Sequence, residues 1–337
     1  MQSVQAANAS VTANAVLNVT GDAGATVMTT SATGNTGEND SLGYADLTGH
    51  LTQTTGAVNI DAESQINGNG AATEDVSHSV QAFGNSQEIA TVGGSSTMQS
   101  DQTNNAIVQA NGGAVLGYTG DDASSFSSVA AGNNVTVNNS MGSTTAVTLN
   151  QNNYGQYVQA AQFVNAGNGQ TISAVTNTMG NNISATNENN PLNITANQTN
   201  TAYIRAQTDE TAYEFGTGSA SANGVGNSLV AGNPGGDITI NNNQLNTGGG
   251  VEVLSSFSGT GGLGYDASSS AVAMGNAATG YACGTCSNKM SVTNRQTNST
   301  QVSATSTLTM NAANRSVTGV STAMGNTATF YVSDPDN

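Results

Sequence analysis

The sequence has no tryptophan, three prolines, two cysteines and only four lysine and arginine residues, against 21 aspartate and glutamate residues in 337. Four cations cannot neutralise many phosphates, so nucleic-acid binding is excluded as the main role. The 12 leucines and the few charged residues are too scarce to build the helices of a protein of this length. The apolar runs are far shorter than the roughly 20 residues of a membrane-spanning helix. We therefore expect neither a helical fold nor a membrane-spanning chain.

Glycine and asparagine dominate what is present, with 41 and 45 residues. The glycines have no three-residue period and proline is rare, which excludes a collagen helix. The polar composition and the few aromatic residues are typical of intrinsic disorder. The low content of proline and glutamate and the many Val, Ile and Thr residues argue against disorder, because β-branched residues favour strands.

The dipeptide Gly-Asn recurs at intervals of 46 to 50 residues and divides the chain into about seven units. A glutamine follows each of the first six marked glycines by 18 to 21 residues, mostly within a Gln-x-Asn triplet. Two marks with one period indicate a repeat protein, and we predict a single array over residues 1–337 without separate domains. The first mark comprises Gly34-Asn35, Gly84-Asn85, Gly132-Asn133, Gly180-Asn181, Gly226-Asn227, Gly275-Asn276 and Gly325-Asn326. The second comprises Gln53, Gln102, Gln151, Gln198, Gln244 and Gln296, with Gln5 in the same place of an initial unit.

The periodicity within a unit is two rather than 3.6. Residues 134–138 and 237–241 alternate between polar and apolar side chains, as do 192–195 and 290–293. This alternation is typical of a β-strand with one buried face. Segments that follow the glutamine and segments that lead into the next Gly-Asn have the same character, which predicts about four short strands in each unit of about 48 residues.

We predict an all-β fold, a β-solenoid of about seven units. A unit with so few large apolar groups cannot bury a core alone, so stacked neighbours must supply it. Equivalent strands would pair, Asn and Gln would form hydrogen-bonded ladders along the axis, and Gly and Asn would occupy corners with positive φ. A unit could form one large coil or two coils of unequal length. A β-sandwich or a series of small β-domains is the alternative.

Catalytic, cofactor and metal chemistry is not expected. His50 and His78 occupy no equivalent place in two units, and the sequence has no Gly-x-Ser-x-Gly motif, no phosphate loop and too few Cys and His residues for zinc. Acidic residues at Asp121-Asp122, Asp237 and Asp266 are candidates for calcium, but a Gly/Asp nonapeptide repeat does not recur. The preferred interpretation is that scattered acidic residues keep the surface soluble.

Cys283 and Cys286 form a Cys-Gly-Thr-Cys motif between strand-like segments. We expect a small loop disulfide formed in an oxidising compartment, with thiol redox chemistry as the alternative. No signal peptide precedes the first predicted strand. We expect an exported chain in which Met1 replaces a removed leader.

The composition and strand repeats are typical of bacterial surface fibres and adhesins. The Gln-x-Asn marks resemble curlin repeats, and the Ala-x-Gly-Asn marks resemble the head repeats of trimeric autotransporter adhesins, although both kinds of unit are shorter. In overall length and in repeats such as residues 270–276 (SAVAMGN), the chain resembles holdfast anchor proteins of the D type from stalked and budding alphaproteobacteria. That resemblance implies a place on the outer membrane at the cell pole. It also implies attachment of a polysaccharide holdfast together with a curlin-like, amyloid-like partner and an outer-membrane lipoprotein.

We therefore expect a non-enzymatic cell-surface protein that anchors the holdfast by stacking and by assembly with itself or its partners. Another bacterial adhesin or fibre subunit is the alternative. A polysaccharide-active β-helix enzyme is less favoured, because the three arginines lie in different units. An ice-binding solenoid is less favoured too, because Thr-x-Thr does not recur at the repeat period.

Overall fold

The computed structural model describes residues 1–283, 289–311 and 315–333. These residues form 17 β-strands, and no helix occurs among them. The predicted all-β class is confirmed. Every strand pairing in the described residues is parallel, and the strands form two sheets.

The first sheet contains seven short strands, most of which span nine residues and include the Gln-x-Asn mark. Their order in the sheet follows their order along the chain. Numbered in chain order with all 17 strands, they are β1 (Gln2–Ala7), β4 (Leu47–Thr55), β6 (Ser96–Asn104), β8 (Thr145–Asn153), β10 (Leu192–Asn200), β12 (Ile238–Asn246) and β15 (Met290–Asn298).

The second sheet contains the other ten strands, including the long ones that carry the Gly-Asn mark. Near the two ends of the chain each long strand is replaced by two shorter strands. The ten strands are β2 (Val11–Asn18), β3 (Ala23–Ser41), β5 (Asn59–Val92), β7 (Ile107–Ser140), β9 (Tyr157–Thr186), β11 (Tyr203–Pro234), β13 (Val251–Gly259), β14 (Gly264–Cys283), β16 (Val302–Met310) and β17 (Ser316–Ser333).

The register of the strands follows the sequence repeat. Gln53 pairs with Gln102, and Gln102 pairs with Gln151. Asn85 likewise pairs with Asn133. Side-chain bonds between equivalent asparagines join residues 46 to 52 positions apart. One repeat therefore contributes one layer of strands to each sheet.

The prediction of four short strands in each unit is wrong. The central units hold one nine-residue strand and one long strand of 30 to 34 residues. In β7 the buried positions are even-numbered from Ser124 to Ala130 and odd-numbered from Asn133 onward, so the chain turns its other face inward at Gly132. The strand bends there without losing its neighbours, because each residue on either side of the bend still pairs with its equivalent one layer away.

The marked glycines serve close approach rather than positive φ. None of them is among the residues with positive φ, which include Gly93, Gly142 and Gly235 in turns instead. A Cβ at Gly132 would lie 2.7 Å from the carbonyl oxygen of Gly180 and 2.7 Å from the Asn153 side chain. Gly and Asn were predicted at corners because they tolerate positive φ. At six of the seven marks, all but Gly325 in the last described layer, glycine is required because a side chain has no room.

The core consists of three apolar clusters enclosed by the two sheets. One is built largely of Ala and Val, including Val108 and Ala110. The second contains Leu149, Val135 and Ile183. The third contains Phe126 and other large residues. Because each layer adds only a few small or medium side chains, the core grows by stacking and not within a single unit.

We predict that Gly132→Ala destabilises the fold by about 1–3 kcal/mol, because the added methyl group meets a carbonyl oxygen and a buried amide. The matched control is Gly319→Ala, where the nearest atom to an added Cβ is the Ser306 hydroxyl at 3.9 Å. Urea unfolding followed by circular dichroism measures both variants. Equal midpoints for the two variants would contradict the role of close approach.

Candidate functional site

A continuous column of asparagine side chains runs through the interior at the Gly-Asn mark. In each layer Nδ2 donates to Oδ1 of the equivalent asparagine in the following layer, at 2.7–2.8 Å. The column consists of Asn35, Asn85, Asn133, Asn181, Asn227, Asn276 and Asn326.

The amides from Asn85 to Asn276 also tie their strands to the first sheet, and Asn35 bonds to Thr54 there in the same way. Asn85 donates its second hydrogen to the carbonyl oxygen of Thr103 at 2.9 Å, and Asn181 donates to that of Thr199 at 2.8 Å. For the amides from Asn85 to Asn276 the acceptor is the middle residue of Gln-x-Asn. The residues between the Gly-Asn mark and the following Gln-x-Asn mark therefore form the segment that leads from the second sheet back to the first.

The glutamines of the second mark form another column with the opposite direction. Here Nε2 donates to Oε1 of the glutamine in the preceding layer, at 2.7–2.9 Å. The same nitrogen donates to the carbonyl oxygen of the residue that follows the marked asparagine, for example Gln151 to Asn182 at 2.9 Å. The column runs through Gln5, Gln53, Gln102, Gln151, Gln198, Gln244 and Gln296.

The asparagines of Gln-x-Asn form a third column from Asn104 to Asn298, with four bonds of 2.8 Å between layers. In the preceding layer Thr55 takes this place. Its hydroxyl donates toward the carbonyl oxygen of Gly84 and toward Oδ1 of Asn85, at 2.8 Å in each case. The threonine keeps the connection between the two sheets, which explains why the triplet is incomplete in the sequence there.

The interior also holds two ionisable side chains. His78 is buried beside Ser64, whose hydroxyl it contacts, and its ring meets Phe126 edge-on with centroids 6.3 Å apart. Burial lowers the pKa of His78 to about 4. Glu210 is fully buried, and this burial raises the pKa of its carboxyl well above 4.5, with only partial compensation from the backbone amides of Ala174 and Ser219.

The sequence model of the family HfaD, holdfast attachment protein D, matches residues 1–250 of the 337. The chain belongs to the HfaD family. The resemblance to holdfast anchor proteins of the D type is thereby confirmed, and the family implies a protein of holdfast attachment that is associated with the cell surface. No curated protein and no solved structure shows a significant match to the chain.

Other candidate residues of this HfaD-family chain lie apart from one another. His50 pairs with Asp101 at 2.6 Å on the outer face of the first sheet. His78 lies in the second sheet and faces the interior. Asp237 accepts a hydrogen bond from the backbone of Lys289 at 2.8 Å, and Asp266 pairs with Arg315. The part of the chain that the structure describes contains no group of three or more potential metal ligands. It also contains no helix long and apolar enough to cross a membrane.

Two predictions from the sequence fall outside this description. Cys286 lies outside the described residues, so the disulfide with Cys283 stays a prediction. The side chains of Asp121 and Asp122 are likewise not described.

Sequence reasoning named His78 only as a histidine without a catalytic role and did not name Glu210, and it missed that both are buried. His78 sits where neighbouring layers carry Met28 and Phe126, and Glu210 sits where they carry Val164 and Phe257. Once the register is known, a charged residue in an apolar column is the signal that identifies them. Without the register, both look like ordinary residues of a polar repeat.

We predict that Asn181→Asp costs about 3 kcal/mol or more of folding free energy, because the change removes two donors and buries a charge. Asn181 donates to Asn227 and to the Thr199 carbonyl, and both acceptors would then face a carboxylate. Asn193→Asp, the same change at an exposed position of β10, is the control and should cost little. Equal shifts of the urea midpoint in the two variants would show that the buried column contributes no more to stability than an exposed asparagine.

The two buried ionisable groups predict a pH optimum of stability. Below pH 6.5 the unfolded chain protonates His78 while the folded chain resists until about pH 4, so stability falls as the pH falls through this window. Above pH 4.5 the unfolded chain ionises Glu210 while the folded chain keeps its proton, so stability falls as the pH rises. Each slope is at most about 1.4 kcal/mol per pH unit.

Glu210→Gln should therefore raise the melting temperature at pH 8 and leave it nearly unchanged at pH 4. Glu63→Gln, on the exposed face of β5, is the control and should behave like the wild type at both pH values. Melting curves between pH 4 and pH 8 make the comparison. Parallel curves for Glu210→Gln and the wild type would mean that Glu210 does not resist ionisation in the folded state.

Proposed function

We propose that this chain is a non-enzymatic, exported protein that attaches a polysaccharide holdfast to the outer membrane. Membership of the HfaD family carries this proposal. The interior columns support it, since the side chains that the sequence repeats are used to hold layers together and not to form a reactive cluster. The described histidines are each engaged with a neighbouring side chain, His50 with Asp101 and His78 with Ser64.

The scaffold that we propose for this role is a β-solenoid formed by a single array of about seven layers. The one-repeat register offset supports one coil for each unit rather than two. At about 4.8 Å for each layer, the stack would be roughly 34 Å long. The repeated Gly-Asn and Gln-x-Asn residues are proposed as the structural site of the protein, because they supply the three interior columns.

We propose further that copies of the chain assemble end to end. In the last described layer Val317 and Val332 pair with the buried Ala267 and Ala282, yet they are 52% and 48% exposed. Apolar side chains that point inward but lack a covering layer favour a partner on that face. A β-rich neighbour that continues the parallel pairing would cover them.

The directions of the columns favour a head-to-tail arrangement. Among the described residues, Asn326 accepts from Asn276 but donates to no side chain, and Gln296 has an unused Oε1. At the other end Asn35 has an unused Oδ1, and Gln5 donates only to the Thr36 carbonyl. A second copy stacked in the same direction would match each donor with an acceptor. A head-to-head pair would place donors opposite donors.

The partners that fit this proposal are a curlin-like subunit and an outer-membrane lipoprotein, as the holdfast resemblance implies. A curlin-like subunit would present paired strands and amide columns of the same kind to an end face. The few positive charges, four in the whole chain, leave little repulsion between stacked copies.

Assembly is tested with two kinds of variant. Replacing Val135 and Val137 by Pro should break the stack itself, because both residues are buried in β7, between β5 and β9, and proline removes two backbone donors there. Asn326→Asp should fold normally, since it can still accept from Asn276, but it replaces the free donor of the end face by a charged acceptor. We expect sedimentation velocity to show polymers for the wild type and monomers for Asn326→Asp.

Asn193→Asp controls for the added charge, because it lies on the outer face of the first sheet, and it should polymerise like the wild type. Polymers of Asn326→Asp equal to those of the wild type would contradict the head-to-tail contact. Polymers of the Val135→Pro, Val137→Pro variant would contradict stacking as the basis of assembly.

A further inference from the structure

A cleft opens on the outer surface where the regular pairing of the layers is interrupted. The register between β7 and β9 shifts between Thr119 and Ala123. The cleft has a volume of about 240 Å³. Its lining includes Tyr118, Asn168, Glu214, Leu263 and Tyr265, with Gly169 and Gly216 between them.

Glycines form the floor of the cleft because the chain passes too closely for side chains. A Cβ at Gly169 would lie 2.1 Å from the Thr119 hydroxyl oxygen, and a Cβ at Gly216 would lie 2.5 Å from the carbonyl oxygen of Gln170. The depression is therefore a property of the backbone path. The side chains that line it, such as those of Tyr118 and Tyr265, stand at its sides.

The walls combine aromatic rings with amide and carboxylate groups. Tyr118 and Tyr265 are 40% and 55% exposed, and Leu263 is 68% exposed. Tyr118 pairs with Asn168, which pairs with Glu214 in the next layer. One aromatic ring and two polar groups thus follow one another at the spacing of successive strands, about 4.8 Å.

A second cleft of about 240 Å³ lies on the same strands, a few residues before the first. It is lined by Val115 and by Phe163, which is 45% exposed, together with Gln65, Asn165 and Asp209. Val115 and Tyr118 belong to β7, and Asn165 and Asn168 belong to β9. The two clefts have the same combination of apolar surface and hydrogen-bonding groups. This combination suits a polymer whose successive units are chemically alike.

A sugar is complementary to such a cleft, because a pyranose ring has apolar C–H faces and a rim of hydroxyl groups. Exposed tyrosine rings pack against such faces, while amides and carboxylates bond the hydroxyl groups. Of the described residues that line the first cleft, only Glu214 is charged. The nearby Arg315 is neutralised by its pair with Asp266. Together with the net charge of −17, this disfavours anionic sugars.

We propose that the cleft around Tyr118 and Tyr265 binds a neutral or amino-sugar oligosaccharide, with the tyrosine rings against sugar faces and Glu214 and Asn168 on hydroxyl or amino groups. This inference rests on the proposed holdfast function and gives it a location. The bound polymer would lie along the side of the stack, so glycan binding and end-to-end assembly use different surfaces.

The test is isothermal titration of the full chain with hexasaccharides of glucose, glucosamine and galacturonic acid. We expect binding of the first two and not of the galacturonic acid hexamer. Tyr118→Ala and Tyr265→Ala should each weaken binding about tenfold, the loss that corresponds to removing one stacked ring. Glu214→Gln should reduce the preference for glucosamine over glucose. Tyr154→Ala, which removes a tyrosine that is 50% exposed outside the cleft, should bind like the wild type.

Unchanged melting curves establish that the variants are folded. Wild-type binding that both tyrosine variants retain would overturn the cleft as the site. A lack of binding to all three hexamers, or a preference for galacturonic acid, would overturn the assignment of the ligand class. Capture of purified holdfast polysaccharide by the wild type is measured separately, and its absence would overturn the proposed function itself.

Discussion

The constraint on which this structure depends is that a buried amide must have its hydrogen bonds satisfied. An Asn or Gln side chain in an ordinary core is a liability, because it carries two donors and an acceptor that few neighbours can meet. Here each column repeats the same residue at the spacing of the strands, so that every layer supplies the partner that its neighbour lacks. The hydrogen that remains goes to a backbone carbonyl across the interior, as from Asn181 to Thr199. In-register parallel stacking is the arrangement that meets both demands at once.

The same rule explains how other polar groups are accommodated inside. Two bonds across the interior are of this kind: Ser128 donates to Gln162 at 2.8 Å, and Thr176 bonds to Thr208 at 2.8 Å. Both bonds cross the interior between neighbouring layers, from β7 to β9 and from β9 to β11, and so add to the connections that the amide columns make. Three apolar clusters fill the remaining space. A chain rich in Asn, Gly, Ser and Thr can therefore bury much of its length without the leucines of a usual core.

The period and the register could be read from the sequence because equivalent residues recur at the same interval, whereas the length of the long strands could not. Gln102 and Gln151 are paired in space for the same reason that they are spaced alike in the chain. The bend at Gly132 could not be read in this way, since the loss of a side chain there reflects crowding between layers and not a break in the strand. His78 and Glu210 were also beyond reach, because only their columns show that they face inward. The cleft near Tyr118 lies at a register shift between two layers. A repeat pattern does not reveal such a shift, because the pattern records only what the units have in common.

The columns also bear on how a stack of this kind could serve attachment. Neighbouring layers are joined by backbone pairing along both sheets and by three side-chain columns, and these bonds act in parallel. A force along the stack is then shared among many bonds, so that no single contact determines when two layers separate. One stack of equivalent interior positions, separate from the three amide columns, changes along the chain. Gly37 and Gln87 occupy it in the amino-terminal layers, and Val135 and Ile183 occupy it in the central layers. Because apolar burial contributes more than a paired polar contact, the central layers should be the most tightly held and the first layers the easiest to separate. The layers that begin the chain are thus held mainly by hydrogen bonds, and the central layers are held by apolar burial as well.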